Sequence, residues 1–275
     1  MKKYFGLFLC LLLLAGVLTG CSSNKADKEA APEKAEAVKL VVGATAQPHA
    51  EILEQVVSVL AEQGVDLEVK VFTDYVQLNP ALQEGQIDAN FFQHVPYLED
   101  YNANNGTDLV WTVKVHTEPM GVYSKKITDI NALADGATVG IPNDATNGGR
   151  ALAVLEKAGI IKLKEGAGIT ATDADIVENP KNVKITMMDA AMLPRTLDDA
   201  DICVINSNYA LEAGLNPVKD SIFMEDKDSP FANVIAVKSE NKDNEAIKKL
   251  GAALQTPEVK KFIEDTYKGA CVPAF

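Results

Sequence analysis

Residues Ala137-Thr-Val-Gly-Ile-Pro-Asn-Asp-Ala-Thr-Asn-Gly-Gly-Arg150 join an apolar strand directly to a helix. Asp144 and Thr146 offer side-chain caps, and the helix that they begin is predicted to run to Ala158. A helix N-terminus presents unpaired N–H groups and positive potential, and Arg150 adds a planar fork that suits a carboxylate. The turn is therefore either a seat for a carboxylate or an ordinary capped helix with a surface arginine.

Strand and helix patterns alternate on both sides of this unit, from Val38 to the C-terminus. A first round of units begins at residue 38 and a second near Ile127. Such alternation favours helices packed on mostly parallel sheets. The chain exceeds the usual domain size of about 100–150 residues, so we predict two α/β lobes. Ligands of such sheets bind beyond the carboxyl ends of the strands, which places a cleft between the lobes.

The N-terminal residues differ from the rest of the chain. Lys2 and Lys3 precede an uncharged run of fourteen residues, Phe5–Leu18. A membrane span needs about 20 residues, so this run fits an export signal better. Leu18-Thr-Gly-Cys21 looks like a bacterial lipobox, although a plain secretory signal followed by an incidental cysteine is the alternative. We predict a signal over 1–20, a lipidated Cys21 (a palmitate-bearing anchor), a tether over 21–37, and no later transmembrane helix.

Charge and motifs exclude several function classes. A net charge of −13 makes the surface as a whole a poor partner for nucleic acid or anionic lipid. The chain has no Gly-x-Ser-x-Gly elbow and no Walker loop, and the dinucleotide-like Gly166-Ala-Gly168 does not follow a clear strand. No motif therefore signals a reaction, and we expect no enzyme. An anchored enzyme acting on a small anion has only the cleft in its favour.

Aromatic and histidine residues suggest two kinds of site. Phe91-Phe-Gln-His-Val-Pro-Tyr97 clusters aromatic rings at the end of a predicted strand, either to wall a ligand pocket or to brace the core. His49, His94 and His116 could hold zinc or manganese together with Glu118, but their spacing matches no short metal motif. Structural or pocket-lining histidines are the commoner outcome.

Other polar and thiol groups leave further alternatives. Asn206 and Asn233 lie at strand ends, where amides either cap turns or bind a ligand's charged groups. Cys203 and Cys271 are the thiols that remain in the mature chain. We favour two free thiols over a disulfide.

Many ordered motifs of this chain resemble the NlpA family of methionine-binding lipoproteins. The resemblance runs from about residue 38 to the C-terminus, and the lipobox agrees with it. It rests on Val42-Gly-Ala-Thr45, Pro48-His-Ala-Glu-Ile-Leu53, Asp74-Tyr-Val-Gln77, Asp88-Ala-Asn-Phe-Phe-Gln-His94, Pro96-Tyr-Leu98, Glu118-Pro-Met-Gly121, Ile141-Pro-Asn-Asp144, Asn147-Gly-Gly-Arg150, Asp189-Ala-Ala191, Leu193-Pro-Arg195 and Asp228-Ser-Pro230.

The resemblance implies a lipid-anchored, extracytoplasmic solute-binding protein of an ABC importer. Its fold is the two-lobed α/β architecture of periplasmic binding proteins (type II), with two crossover strands and an interlobe ligand cleft. Lobe I is then 38–120 plus 234–275, and lobe II is 121–233. The implied partners are the importer's permease and ATPase subunits, the membrane through the lipid, and no nucleic acid. We expect a monomer without a cofactor.

The resemblance also implies the ligand and its contacts. The ligand is methionine, with the D-form and short Met-containing peptides left open. Arg150 would bind the carboxylate, and Asn206 and Asn233 would hold the two charged ends. Asn208 is a weaker candidate, and His116 would line the cleft. The side chain with its thioether would be enclosed by Tyr75, Phe92, His94 and Tyr97.

Overall fold

Strands and helices alternate along the chain as the sequence predicts. The computed structural model describes residues 36–226 and 229–275; the predicted signal 1–20, the lipidated Cys21 and the tether as far as residue 35 lie outside them. Within the described ranges, no helix is long and apolar enough to cross a membrane.

The strands and helices have the following bounds. The strands are β1 (Val38–Thr45), β2 (Val65–Phe72), β3 (Ala89–His94), β4 (Val110–Thr117), β5 (Gly121–Tyr123), β6 (Thr138–Pro142), β7 (Lys162–Leu163), β8 (Ile176–Glu178), β9 (Lys184–Met188), β10 (Ile202–Ile205), β11 (Phe223–Met224), β12 (Ala232–Val237) and β13 (Val272–Pro273). The α-helices are α1 (Glu51–Glu54), α2 (Val57–Glu62), α3 (Leu78–Gln83), α4 (Val95–Asn105), α5 (Ala145–Lys157), α6 (Ser207–Glu212), α7 (Pro217–Asp220), α8 (Glu245–Leu254) and α9 (Pro257–Tyr267). Shorter helical turns cover Ala46–Ala50, Ile130–Ala132, Asp173–Asp175, Ala190–Asp198 and Ser239–Asn241.

The strands form two main sheets. One is six-stranded with the order β13-β4-β12-β3-β1-β2, and the other is five-stranded with the order β11-β5-β10-β6-β9. The chain leaves the first sheet after β4, enters the second at β5, and returns to the first at β12. The connection after Thr117 and the connection before Ala232 are therefore the two passages between the sheets.

The prediction of mostly parallel sheets is wrong, because both sheets are mixed. In the first sheet β1 pairs in parallel with β2 and β3, whereas β12 lies antiparallel to both β3 and β4. In the second sheet β6 pairs in parallel with β9 and β10, whereas β5 lies antiparallel to β10. The antiparallel strands β5 and β12 are the ones that the chain enters directly from the other sheet.

Each sheet has its own hydrophobic core. In the first sheet, Leu40 and Val42 of β1 pack in a buried cluster with Ile263 of the last helix. In the second sheet, Ile141 of β6 and Leu152 of α5 belong to a separate buried cluster. Burial of whole aliphatic side chains stabilises the fold by about 1.5–3 kcal/mol each.

Cys203 and Cys271 are both buried and free, so the prediction of two unpaired cysteines is confirmed.

Candidate functional site

A cavity lies where elements of the two sheets meet, at the carboxyl ends of several strands. It encloses about 330 Å³ of space free of protein atoms, including its open mouth. All seven ligand-binding residues predicted from the sequence line it: Tyr75, Phe92, His94, Tyr97, Arg150, Asn206 and Asn233. Their contacts with a ligand stay a prediction.

Aromatic rings form one wall of the cavity. The ring centroids of Tyr75 and Phe92 are 5.6 Å apart, and Tyr97 lies 6.0 Å from Tyr75 and 5.6 Å from Phe92. The Tyr75 hydroxyl donates to Oδ1 of Asn208 over 2.5 Å, and burial raises the pKa of Tyr75 well above its ordinary value. Asn208, the weaker candidate, therefore orients Tyr75 and is not among the residues that line the cavity. The wall suits an apolar side chain.

His94 is a neutral imidazole of defined orientation. Its Nδ1 accepts from the backbone N–H of Tyr97 over 3.1 Å, so its Nε2 carries the proton. That Nε2 donates to Oδ1 of Asn147 over 3.1 Å. Burial and the nearby Arg150 guanidinium lower the pKa of His94 to about 3. Both ring nitrogens are thus used within the protein.

Three asparagine amides lie around the polar part of the cavity. Asn147 is fixed by Asp144, whose carboxylate caps α5 and accepts from both the backbone and the side chain of Asn147. Asn206 donates to Asn147 over 2.9 Å, and its own Oδ1 is buried with no hydrogen-bond partner among the described residues. Asn233 accepts through Oδ1 from His49 over 3.0 Å. An unpartnered buried acceptor costs about 1–3 kcal/mol, so Oδ1 of Asn206 is suited to receive a donor from a ligand.

Arg150 is held by the α5 helix with its side chain only 3% exposed. The helix can lie close to the loop at Ile169 because residue 149 is glycine, and a Cβ at this position would clash with the Ile169 carbonyl oxygen. The guanidinium Nε lies 3.2 Å from both carboxylate oxygens of Glu225, and Nη2 lies 2.5 Å from Oε2 of Glu225. Nη2 also donates to the Glu118 carbonyl over 2.6 Å. Arg150 is thus a buried cation, not the surface arginine of the alternative reading, and already has one carboxylate partner.

The histidines do not assemble as the metal hypothesis requires. His49, His116 and Glu118 come together, with ligand atoms all within 4.8 Å of one another, but His94 is not part of that group. Oε1 of Glu118 lies 2.7 Å from Nε2 of His116 and 3.3 Å from Nε2 of His49. The three-histidine site is therefore wrong: both nitrogens of His94 are engaged elsewhere, and the other two imidazoles share one carboxylate.

Glu118 is buried, and its neighbours favour the negatively charged form of its carboxyl group. Burial lowers the pKa of His49 to about 4, which leaves a neutral imidazole. Burial alone would raise the pKa of the Glu118 carboxyl, but His49, His116 and Arg150 outweigh it and hold that pKa below its ordinary value. Oε2 of Glu118 accepts from the backbone N–H of Asn208 over 3.0 Å. His116 itself does not line the cavity, whereas Glu118 does.

Several site residues were not assigned from the sequence. Asn147 lies inside the motif that ends at Arg150, and its position at the capped helix start was the signal available. Gln93 and Ser207 line the cavity as neighbours of predicted residues. No sequence signal pointed to Glu225, because it lies 75 residues after Arg150 in an unremarkable segment.

Comparisons with known proteins agree on one family. A family model described as NlpA lipoprotein matches residues 40–275. The D-methionine-binding lipoprotein MetQ of Salmonella typhimurium is 46% identical over 257 residues, covering 93% of this chain and 92% of that protein. The structure of a nutrient binding protein from Burkholderia cenocepacia bound to methionine is 47% identical, with a TM-score of 0.82, covering 86% of this chain and 100% of that chain.

A further solved structure matches at a lower sequence identity. The lipoprotein Tp32 from Treponema pallidum is 38% identical, with a TM-score of 0.84, and the match covers 87% of this chain and 100% of that one. Together with the two sheets and the cavity between them, these matches confirm the predicted two-lobed fold of periplasmic binding proteins.

Proposed function

Because this chain belongs to the NlpA lipoprotein family, we propose that it is the solute-binding lipoprotein of an ABC importer and that it captures methionine. The ligand is the L-form, the D-form or a short Met-containing peptide. Relatives support this: one is named a D-methionine-binding lipoprotein, and the structure of another is bound to methionine. The protein binds its ligand and catalyses no reaction.

The chemistry of the cavity is the observation that carries the proposal. The rings of Tyr75, Phe92 and Tyr97 enclose an apolar thioether side chain. The Oδ1 of Asn206, which has no hydrogen-bond partner within residues 36–226 and 229–275, accepts from the ligand ammonium. Arg150 and the amide nitrogen of Asn233 donate to the ligand carboxylate. One cavity thus offers a complement to each part of a small apolar zwitterion.

Closure of two lobes is the proposed means of capture. Lobe I comprises residues 38–120 plus 234–275, and lobe II comprises residues 121–233. Phe92 and His94 of lobe I belong to strands of the six-stranded sheet, and Arg150 and Asn206 of lobe II follow strands of the five-stranded sheet; Asn233, the last residue of the lobe II range, lies on β12 of the six-stranded sheet. A ligand that touches both sets binds the closed form better than the open one, so it shifts the population towards closure. The importer's permease then recognises the closed form.

The N-terminal segment provides the proposed location. The signal 1–20 is removed, Cys21 is lipidated and holds the protein on the extracytoplasmic face of the cell membrane, and residues 21–37 form the tether. Acylation with two or more chains anchors stably where a single chain is marginal. The protein works as a monomer beside the permease and ATPase subunits.

Calorimetry on the full chain, refolded to remove any carried ligand, tests the proposed function. We expect tight one-to-one binding of at least one of L-methionine, D-methionine and a methionine dipeptide, and no binding of aspartate or lysine. A tight ligand also raises the melting temperature by mass action. Absence of binding for all three methionine compounds, or equal binding of aspartate, contradicts the proposal.

A further inference from the structure

Glu225 occupies the two donors of Arg150 that would otherwise form a bidentate carboxylate contact. Both Nε and Nη2 of the guanidinium donate to it, and Phe231 covers the guanidinium with 4.2 Å between Cζ and the ring centroid. Among the described residues, Nη1 is the guanidinium nitrogen without a hydrogen bond. A ligand carboxylate therefore meets Arg150 by one nitrogen only, beside a carboxylate that the protein already supplies.

The backbone fixes Glu225 independently of Arg150. Its N–H donates to the Met120 carbonyl over 2.9 Å, and the Met120 N–H donates to Oε2 of Glu225 over 3.2 Å. Met120 lies in the first passage between the sheets, and Glu225 directly follows β11 at the start of the return passage. Arg150 also donates to the Glu118 carbonyl in the first passage. The Arg150–Glu225 pair thus ties both passages to the α5 helix.

Among the described residues, two carboxylates and one guanidinium line the cavity or pair with a residue that lines it. Glu118 and Arg150 are the charged groups that line it, and Glu225 already compensates Arg150. The imidazoles of His94 and His49 are neutral. Apart from Arg150, whose charge Glu225 already offsets, the groups that the described residues place against the Glu118 carboxylate are the imidazoles of His116 and His49, 2.7 and 3.3 Å away. A ligand that brings a positive charge balances the site, and one that brings only a negative charge is repelled.

We propose that Glu225 is a positioning and specificity residue. It holds Arg150 in place and cancels its charge, so that the cavity takes ligands that carry an ammonium group and rejects carboxylates that lack one. This inference rests on the proposed function. It makes the ammonium end of the ligand the stronger determinant of binding, and it assigns that preference to a residue that does not line the cavity.

Calorimetry with three ligands tests the inference on the wild-type full chain in detergent. The ligands are methionine, methioninamide (a cation) and the deamino analogue of methionine (an anion). We expect methioninamide to bind at least about tenfold more tightly than the deamino analogue, because like charges at a desolvated site cost several kcal/mol. Equal or tighter binding of the deamino analogue overturns the inference.

The Glu225→Gln variant assigns the effect to this residue. The Kd of the deamino analogue divided by that of methionine should fall at least about tenfold in E225Q, since the variant removes one negative charge. Glu225→Asp keeps the charge, so this ratio should stay within about twofold of the wild type even if both affinities fall. Asp226→Asn is the matched control, because Asp226 is 77% exposed and pairs with Lys157.

The outcomes separate the two proposals. A purely structural role for Glu225 predicts that E225Q weakens all ligands equally or lowers the melting temperature with an unchanged ratio, and that result overturns the inference alone. If E225Q does not fold, the wild-type comparison of methioninamide with the deamino analogue still tests whether the cavity prefers an ammonium group to a lone carboxylate. If wild-type protein binds no methionine compound, the proposed function fails and the inference fails with it.

Discussion

The buried pair of Arg150 and Glu225 gives a stability prediction that needs no ligand. The side chains are 3% and 11% exposed, and the closest oxygen–nitrogen distance is 2.5 Å. In the Arg150→Met variant, Glu225 keeps the Met120 N–H as its remaining donor among the described residues and becomes a buried carboxylate without a cation. Breaking a buried pair from one side costs about 3–5 kcal/mol. We therefore expect R150M to lower the free energy of unfolding by about that amount.

The double variant Arg150→Met, Glu225→Met separates the loss of the pair from the loss of the arginine. Both variants leave the Glu118 carbonyl without its donor, but the double variant exchanges the uncompensated charge, worth about 3–5 kcal/mol, for a Met120 N–H without its acceptor, worth about 1–3 kcal/mol. The double variant should therefore be more stable than R150M. Urea unfolding of the ligand-free chain, followed by far-ultraviolet circular dichroism, measures both. If R150M loses less than about 1 kcal/mol, or if the double variant is as unstable as R150M, the reasoning is refuted.

Three further predictions concern other parts of the structure. The pKa of His94 is about 3 in the folded protein and about 6.5 in the unfolded chain, so the unfolded chain binds a proton at a higher pH than the folded protein does. His94 should therefore lower the free energy of unfolding by about 2 kcal/mol at pH 5 relative to pH 7. His94→Gln should remove that share of the loss in urea titrations at both pH values, and an unchanged pH dependence contradicts this. Gly149→Ala should lower the free energy of unfolding by about 1–3 kcal/mol and weaken ligand binding, since its Cβ would meet the backbone at Ile169; a wild-type melting temperature contradicts it. In the mature chain with Cys21 lipidated, Cys203 and Cys271 should resist a thiol reagent in the native protein and react as two thiols in denaturant, and a count of zero in denaturant would indicate a disulfide.

Local patterns were sufficient for the units that place the cavity. The unit from β6 to α5 was predicted with its cap, and the structure places the Asp144 carboxylate on the N–H of Asn147 over 2.9 Å. The last helix also carries local signals, because Thr256 precedes Pro257 and its side chain accepts from the N–H of Val259. Caps, turn glycines and apolar spacing act within a few residues, so one sequence is enough to reveal them.

The pairing of strands and side chains that are distant in the sequence could not be predicted from the sequence. Nothing near β5 or β12 indicates the direction in which a strand enters a sheet built from distant segments, so the mixed sheets were missed. The same applies to Glu225, whose partners Met120 and Arg150 are 105 and 75 residues away. The cluster of His49, His116 and Glu118 was predicted in part. Residue type suggested these three residues together with His94, and only the fold shows that His94 lies outside the group.

The position of β12 has a consequence for how a nascent chain acquires its structure. This strand lies between β3 and β4, although it follows β4 by more than a hundred residues in the sequence. Until residue 237 has been synthesised, β3 and β4 each present an unpaired edge, and such edges invite association with other chains. The six-stranded sheet thus forms only after translation is almost finished, and a truncated product that ends before residue 232 is expected to aggregate.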